Sequence, residues 1–344
     1  PLFKAEPDHP GLAHYLIHTY DVPPLAPRAI VAAERYAKIA PSAPHALHMP
    51  SHTFTRVGRW QESIDANIAS AAAARSSGEI AEQLHATDYM MYAYLQTAQD
   101  VAARRLLDSL PAIASRFDVN AVTGAAPGAA GVFALAAIPA RFALERGAWA
   151  EAAGLEPHPS AFPFTEAMTY FARAIGASHM GDTATVREAL YSLRVVRERL
   201  QRAGEAYWAE QVRIQSVAAS ALLSLTQGRV SVAISAMREA ADAEDRTEKN
   251  AITPGPLVPA RELLAEMLLQ ANDGAGALAE FRATLAKDPN RFRALFGAAQ
   301  AAASAGDSAA SRKYSAQLLG VCARADQPGR PELAAIRKKM RFAP

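Results

Sequence analysis

Apolar residues recur along this chain at spacings of three and four, in stretches separated by short polar turns. Leu16, Ile17 and Tyr20 form one such stretch, and Met90 and Tyr94 belong to another. This spacing places the apolar side chains on one face of an α-helix. The pattern predicts an all-α fold with first helices of successive hairpins near 10–21, 44–57, 84–97, 132–146, 166–180, 210–227, 258–271 and 292–305, and a last helix near 330–341.

A second pattern marks the turns between these helices. A small residue is followed five positions later by an alanine or serine, and four positions further by a larger residue, as in Gly228, Ala233 and Met237. The small residue allows a tight turn, the alanine lets two helices approach closely, and the larger residue fills the gap to the next pair. The pattern therefore predicts a series of helical hairpins.

With these hairpin positions, the chain resembles the tetratricopeptide repeat (TPR) family over most of its length. The resemblance implies one continuous solenoid, a right-handed superhelix of about eight TPR-like helical hairpins with a C-terminal capping helix. On this basis we expect His-rich repeats over 1–110, a loop or linker over 111–130, further repeats over 131–321 and the cap over 322–344.

Two strings, HPGLAHYLIH at 9–18 and HALHMPSH at 45–52, are similar to those of a group of bacterial TPR proteins. That resemblance implies the repeat fold and a bacterial cytoplasm or periplasm, and it implies no particular reaction. Cys322 is the single cysteine, which excludes disulfide scaffolds and thiolate zinc fingers. The net charge of +2 is too small to indicate a nucleic acid partner. We also expect no membrane span, because the sequence has no run of about 18 uncharged apolar residues.

The histidines carry the main functional signal. His14 and His48 differ by 34 in number, as do His18 and His52, and each helical pair reads H-x-x-x-H. This spacing puts two imidazoles on one face, one turn apart. Because 34 residues is also the period of a TPR-like repeat, equivalent positions of adjacent repeats lie side by side. We therefore expect these four histidines to form one compact patch in the concave groove.

Neutral imidazole nitrogens bind divalent transition metals, and zinc or copper suits an all-nitrogen set best. His45 lies three residues before His48, and His85 aligns with the same face of the third repeat. If the patch shares one ion, protonation competes with it and affinity falls below about pH 6.5. The predicted metal ligands are His14, His18, His45, His48, His52 and His85.

Four further residues align with this groove. Asp88 and Tyr92 are candidate catalytic residues, as general bases, as groups that orient an imidazole, or as a fourth metal ligand. Asp21 and Arg141 are candidates for ligand binding, and Arg141 suits a carboxylate or phosphate. Glu82 faces the groove only if the third helix begins before its predicted start at 84.

Three functions remain open from the sequence, and whether the chain is an enzyme is one of the open points. The first is a TPR-like scaffold whose groove carries a metal site for a small molecule or peptide. The second is a metal-dependent hydrolase or oxidoreductase that uses the same histidines. The third is a metal-free adaptor that binds a protein partner in the groove.

Overall fold

The computed structural model describes residues 2–342, and within that range it contains helices and no strand. The all-α prediction is confirmed. A short 3-10 helix lies at Ala26–Ala29. The α-helices, numbered in chain order, are α1 (Leu2–Ala5), α2 (Pro10–Thr19), α3 (Ile30–Ile39), α4 (Pro44–His48), α5 (Pro50–Arg56), α6 (Trp60–Ser77), α7 (Ile80–Gln96), α8 (Asp100–Ala114), α9 (Gly128–Glu145), α10 (Trp149–Ala153), α11 (Pro163–His179), α12 (Thr183–Arg202), α13 (Ala206–Thr226), α14 (Val230–Asp245), α15 (Ala260–Gln270), α16 (Gly274–Lys287), α17 (Phe292–Ser304), α18 (Ser308–Val321) and α19 (Pro331–Phe342).

Helix boundaries differ from the predicted ones in two places that matter for the site. Helix α7 begins at Ile80, four residues earlier than the periodicity predicts. The helix predicted over 44–57 is divided into α4 and α5, because Pro50 has no N–H to continue α4 and suits the first position of a new helix. As a result His48 ends α4, and His52 lies in the first turn of α5.

Helices that are adjacent in sequence pack as pairs, for example α6 with α7, α11 with α12, and α13 with α14. Helices α7, α9, α11 and α13 also contact one another in turn and form a second set of contacts along the chain. Fully buried alanines such as Ala137, Ala174 and Ala218 lie at these contacts. Their short side chains let the helix backbones approach closely at no cost in side-chain entropy.

The C-terminal part of the chain returns to the N-terminal helices. Helix α17 contacts α7, and the indole N–H of Trp60 donates to the carbonyl of Asn290 over 2.9 Å. Near the end of the chain, the Arg330 guanidinium forms an ion pair of 2.6 Å with Asp100. The helices are thus joined by contacts across the whole chain as well as by nearest-neighbour packing.

A fully buried arginine, Arg291, stabilises this contact between the C-terminal and N-terminal helices. Two nitrogens of Arg291 donate to Glu262 over 2.8 and 2.9 Å, and a third donates to the Tyr92 hydroxyl over 2.9 Å. The Glu145 carboxylate lies 2.7 Å from the same guanidinium. Arg291, immediately before α17, thereby links that helix to α7, α9 and α15.

Among residues 2–342, only α9 is long and apolar enough to cross a membrane by length and composition, with a mean hydropathy of 1.3. Two thirds of that helix is buried inside the protein, where it packs against α7 and α11. The expectation that the chain has no membrane span stays a prediction.

Replacing Arg291 by alanine is expected to lower the free energy of unfolding by about 3–5 kcal/mol, because two buried carboxylates lose their cation. Urea denaturation followed by circular dichroism measures the change. The exposed Arg312 provides the control Arg312→Ala, which should stay within about 0.5 kcal/mol of the wild type. A loss at Arg291 as small as that of the control would contradict its role as the interior link.

Candidate metal centre

The six predicted histidines lie together at the junction of α2, α4, α5 and α7, where they form two groups. In each group, one ligand nitrogen from every histidine lies within 4.8 Å of the others. We call these groups the inner triad (His48, His52 and His85) and the outer triad (His14, His18 and His45).

The triads differ in burial. The inner histidines are 0%, 1% and 4% exposed, whereas His14 and His45 are half-buried and His18 is exposed. The rings of His18 and His52 are 5.7 Å apart and those of His45 and His48 are 6.2 Å apart, so the two groups are contiguous. The expected patch of four histidines is therefore divided, because His45 of α4 completes the outer group and His85 of α7 completes the inner one.

Hydrogen bonds fix the tautomers of two inner histidines. The Nδ1 of His48 lies 2.7 Å from the side-chain oxygen of Asn67, whose amide nitrogen donates to the Ser63 carbonyl. The Nδ1 of His52 lies 2.9 Å from a carboxylate oxygen of Asp21. Both partners accept a hydrogen bond, so each Nδ1 carries the proton and each Nε2 carries a lone pair.

These two Nε2 atoms face each other at 3.1 Å. Two lone pairs at that distance repel unless a cation lies between them. Two nitrogens bound to one tetrahedral zinc ion stand about 3.3 Å apart, given Zn–N distances of about 2.0–2.1 Å. The third inner histidine, His85, has a buried Nδ1 with no hydrogen-bond partner among the described residues. The inner triad therefore fits a metal ion with three nitrogen ligands.

The protonation states agree with this arrangement. Burial, followed by the neighbouring imidazole of His85, holds the pKa of His48 well below its usual value, and burial does the same for His85. Burial lowers the pKa of His52 to about 4, although the bonded Asp21 carboxylate acts in the opposite direction. At neutral pH all three imidazoles are thus neutral, which is the form that binds metal.

Asp21 connects the centre to the rest of the protein. Besides His52, its carboxylate binds Arg56 over 2.9 Å and Lys249 over 2.7 Å. Burial alone would raise the pKa of Asp21, but Lys249 and the hydrogen bond from His52 hold it below its usual range. Asp21 thus acts as an ionised group that orients an imidazole, the usual role of a carboxylate behind a metal-binding histidine.

The loop between α14 and α15 covers the inner triad. Its Lys249 reaches Asp21, and the carbonyl of Thr253 accepts a hydrogen bond of 3.1 Å from Tyr89. The Tyr89 hydroxyl is also 3.2 Å from the Nδ1 of His52. The positions next to the inner histidines are therefore occupied by a segment of the chain itself.

The structure places three of the predicted auxiliary residues in other contacts. Asp88 is fully buried and pairs over 2.9 Å with Arg141, whose remaining nitrogens donate to Thr253 and to the carbonyls of Gly255 and Pro256. Tyr92 receives its hydrogen bond from Arg291. Arg141 thus anchors the covering loop, and all of its guanidinium nitrogens are used within the chain.

Glu82 faces the histidines because α7 begins before residue 84. Its buried carboxylate lies 3.2 Å from the Nδ1 of His45 and accepts a hydrogen bond from the backbone N–H of Ala126. Burial alone would raise the pKa of Glu82, but the hydrogen bond with His45 and the nearby His48 lower it. In the outer triad, Nδ1 of His14 lies 3.2 Å from the Tyr36 hydroxyl.

Sequence reasoning missed Asn67, Tyr89 and Lys249. Asn67 occupies the larger-residue position of the hairpin pattern, where the stretch that starts at Gly228 has Met237, so a polar residue at a packing position was a usable signal. Tyr89 lies four residues after His85 on the same helix face. Lys249 carries no local signal, because its contact with Asp21 spans 228 positions.

No family model matches this sequence, and a search of curated proteins finds no match. The functional argument is accordingly built on the geometry of the two triads.

The metal-free protein is expected to lose stability as the pH falls from 6.5 to about 4. The folded pKa of His52 lies below the ordinary value of 6.5, so the unfolded chain binds more protons in this window. Stability present above pH 6.5 is then lost by the time the pH reaches the folded pKa, and His52 contributes at most about 3 kcal/mol of this loss.

Urea denaturation of the metal-free protein at several pH values measures the effect. The variant His52→Gln should lose less stability across the window than the wild type, whereas His158→Gln, at an exposed histidine, should behave as the wild type does. Equal losses in wild type and His52→Gln would show that this imidazole is not held neutral by the fold.

Proposed function

We propose that this chain is a TPR-like superhelical scaffold whose inner triad binds a divalent transition metal, zinc or copper, and presents it to a small-molecule ligand. The observation that carries the proposal is the pair of His48 and His52 Nε2 atoms, 3.1 Å apart with both Nδ1 atoms already engaged. The pairwise helix packing and the 34-residue histidine spacing support the TPR-like architecture.

The ligand set favours zinc or copper. Three neutral imidazoles and no thiolate form the set, since Cys322 is buried near the carbonyl of Gln96. Three protein ligands leave one tetrahedral position for water or for an atom of a ligand. Asp21 and Asn67 behind the ligands would set ring orientation and increase imidazole basicity.

The outer triad supports a second and weaker metal site. Its histidines also lie within ligand distance of one another, but they face solvent, where water competes for the ion. Glu82 behind His45 provides an orienting carboxylate there. Because the triads are contiguous, an ion bound at the outer triad lies on a direct route to the inner one.

The covering loop favours a small ligand over a peptide at the inner triad. Thr253 and Lys249 already contact the residues around His52, so an extended peptide would have to displace them. A water-sized ligand would demand the smallest displacement of this loop.

The protein, expressed without a metal-binding tag and incubated with zinc or copper, is expected to retain about one tightly bound ion per chain. The double variant His48→Ala/His52→Ala should lose it, as shown by elemental analysis after dialysis. His14→Ala/His18→Ala should keep the tight ion and lose only weaker binding, and His179→Ala, distant from the triads, should match the wild type.

Asp21→Asn supplies a finer test, because it keeps the three ligands and removes the orienting charge. It should weaken metal affinity about 10- to 100-fold. Circular dichroism confirms that each variant is folded. No bound metal in the folded wild type, even after reconstitution, would contradict the proposal and favour the metal-free adaptor, with partner capture as the next step.

A metal-dependent enzyme is the second candidate, and the fourth coordination position favours it. A water molecule bound there would have a lowered pKa and could act as a nucleophile. In that case a hydrolytic activity should disappear with a chelator and return with one particular metal. Activity that survives both chelation and His48→Ala/His52→Ala would rule this candidate out.

A further inference from the structure

A cavity lies beside the metal centre, lined by residues of α11, α13 and the covering loop. Its apolar wall is aromatic. The rings of Phe164 and Trp208 stack at 4.0 Å with an angle of 15°, and Phe133 lies against the same indole at 6.0 Å. A wall of this kind offers a flat apolar surface to the body of an organic ligand and favours cations over the ring faces.

Two carboxylates at the polar end of the cavity, Glu244 and Asp288, form no ion pair within 4.0 Å in the part of the chain that the structure describes. Glu244 accepts one hydrogen bond, from the backbone N–H of Ala260. Asp288 forms no side-chain hydrogen bond among the same residues. Burial raises the pKa of Glu244 to about 7, although the Ala260 N–H and the Lys287 ammonium act in the opposite direction.

The cations around the cavity are already compensated. Arg56 pairs with Asp21 and Glu248, Lys249 pairs with Asp21, and Lys287 lies 3.6 Å from Asp245. Arg291, which also acts on Asp288, is held by Glu145 and Glu262. Positive groups are thus satisfied within the protein, while two negative groups remain available to a ligand.

We propose that this cavity is a binding site for an organic amine with an aromatic or similarly apolar body, its ammonium group placed between Glu244 and Asp288. The apolar body would lie along Phe133, Phe164 and Trp208. A carboxylate ligand is disfavoured, because it would bring a third negative charge to this end of the cavity.

The cavity and the metal centre are distinct but share a wall. Arg56 and Lys249 line the cavity, and both bind the Asp21 carboxylate that orients His52. The amine site requires none of the histidines, so its test does not depend on bound metal.

Isothermal titration calorimetry at neutral pH with three matched probes tests the proposal. Phenethylamine should bind, phenethyl alcohol should bind about tenfold more weakly because it cannot form the charge-assisted contact, and phenylpropionate more weakly still. The titration is repeated on chelator-treated protein, where equal amine affinity separates the cavity from the histidine centre.

A matched pair of variants assigns the charge. Glu244→Gln/Asp288→Asn should reduce phenethylamine affinity about tenfold and leave phenethyl alcohol unaffected. Glu239→Gln, at an exposed glutamate of the same helix, should bind as the wild type does. Equal affinity of the wild type for amine and alcohol, a preference for the carboxylate, or no amine binding up to millimolar concentration would each overturn the proposal. Because these three results come from the wild type, the test holds even if the double variant fails to fold.

Discussion

The buried carboxylate of Asp21 is the contact on which the rest of this architecture depends. One oxygen or the other meets His52 and Arg56 of α5 and Lys249 of the covering loop. A buried charge is stable only when it is paired and hydrogen-bonded, so α5 and the covering loop must converge on Asp21 for the protein to fold. The same convergence orients an imidazole, places the covering loop and forms one wall of the aromatic cavity.

Features that depend on local periodicity were predictable from the sequence. Helical spacing of apolar residues located the helices, and the 34-residue offset between His18 and His52 predicted the proximity of their rings, which are 5.7 Å apart. The same offset did not predict that His14 and His48 belong to different triads. The position of Glu82 depended on one predicted helix boundary. Because α7 begins at Ile80 and not at residue 84, the Glu82 carboxylate faces His45.

Features that depend on distant pairing were not predictable. The covering loop has no periodicity that would predict its position. Lys249 contacts Asp21 only because the chain folds back over 228 positions. The division of the histidines into two triads depends on the directions of α4 and α5 on either side of the break at Pro50. The spacing of apolar residues does not predict these directions. Arg141 aligned with the groove histidines, yet its partner is Asp88 of a neighbouring helix.

The return of the C-terminal helices to the N-terminal ones has a consequence for how the protein is made. In an open repeat array each unit contacts only its neighbours, so folding can begin at any unit and spread from there. Here the inner histidines precede residue 86, whereas Lys249 and Arg291 are synthesised much later. During translation the early histidines emerge without the groups that enclose them. The emerging chain therefore exposes three imidazoles that the finished protein keeps covered, so a metal ion can reach these ligands before the covering loop has been made.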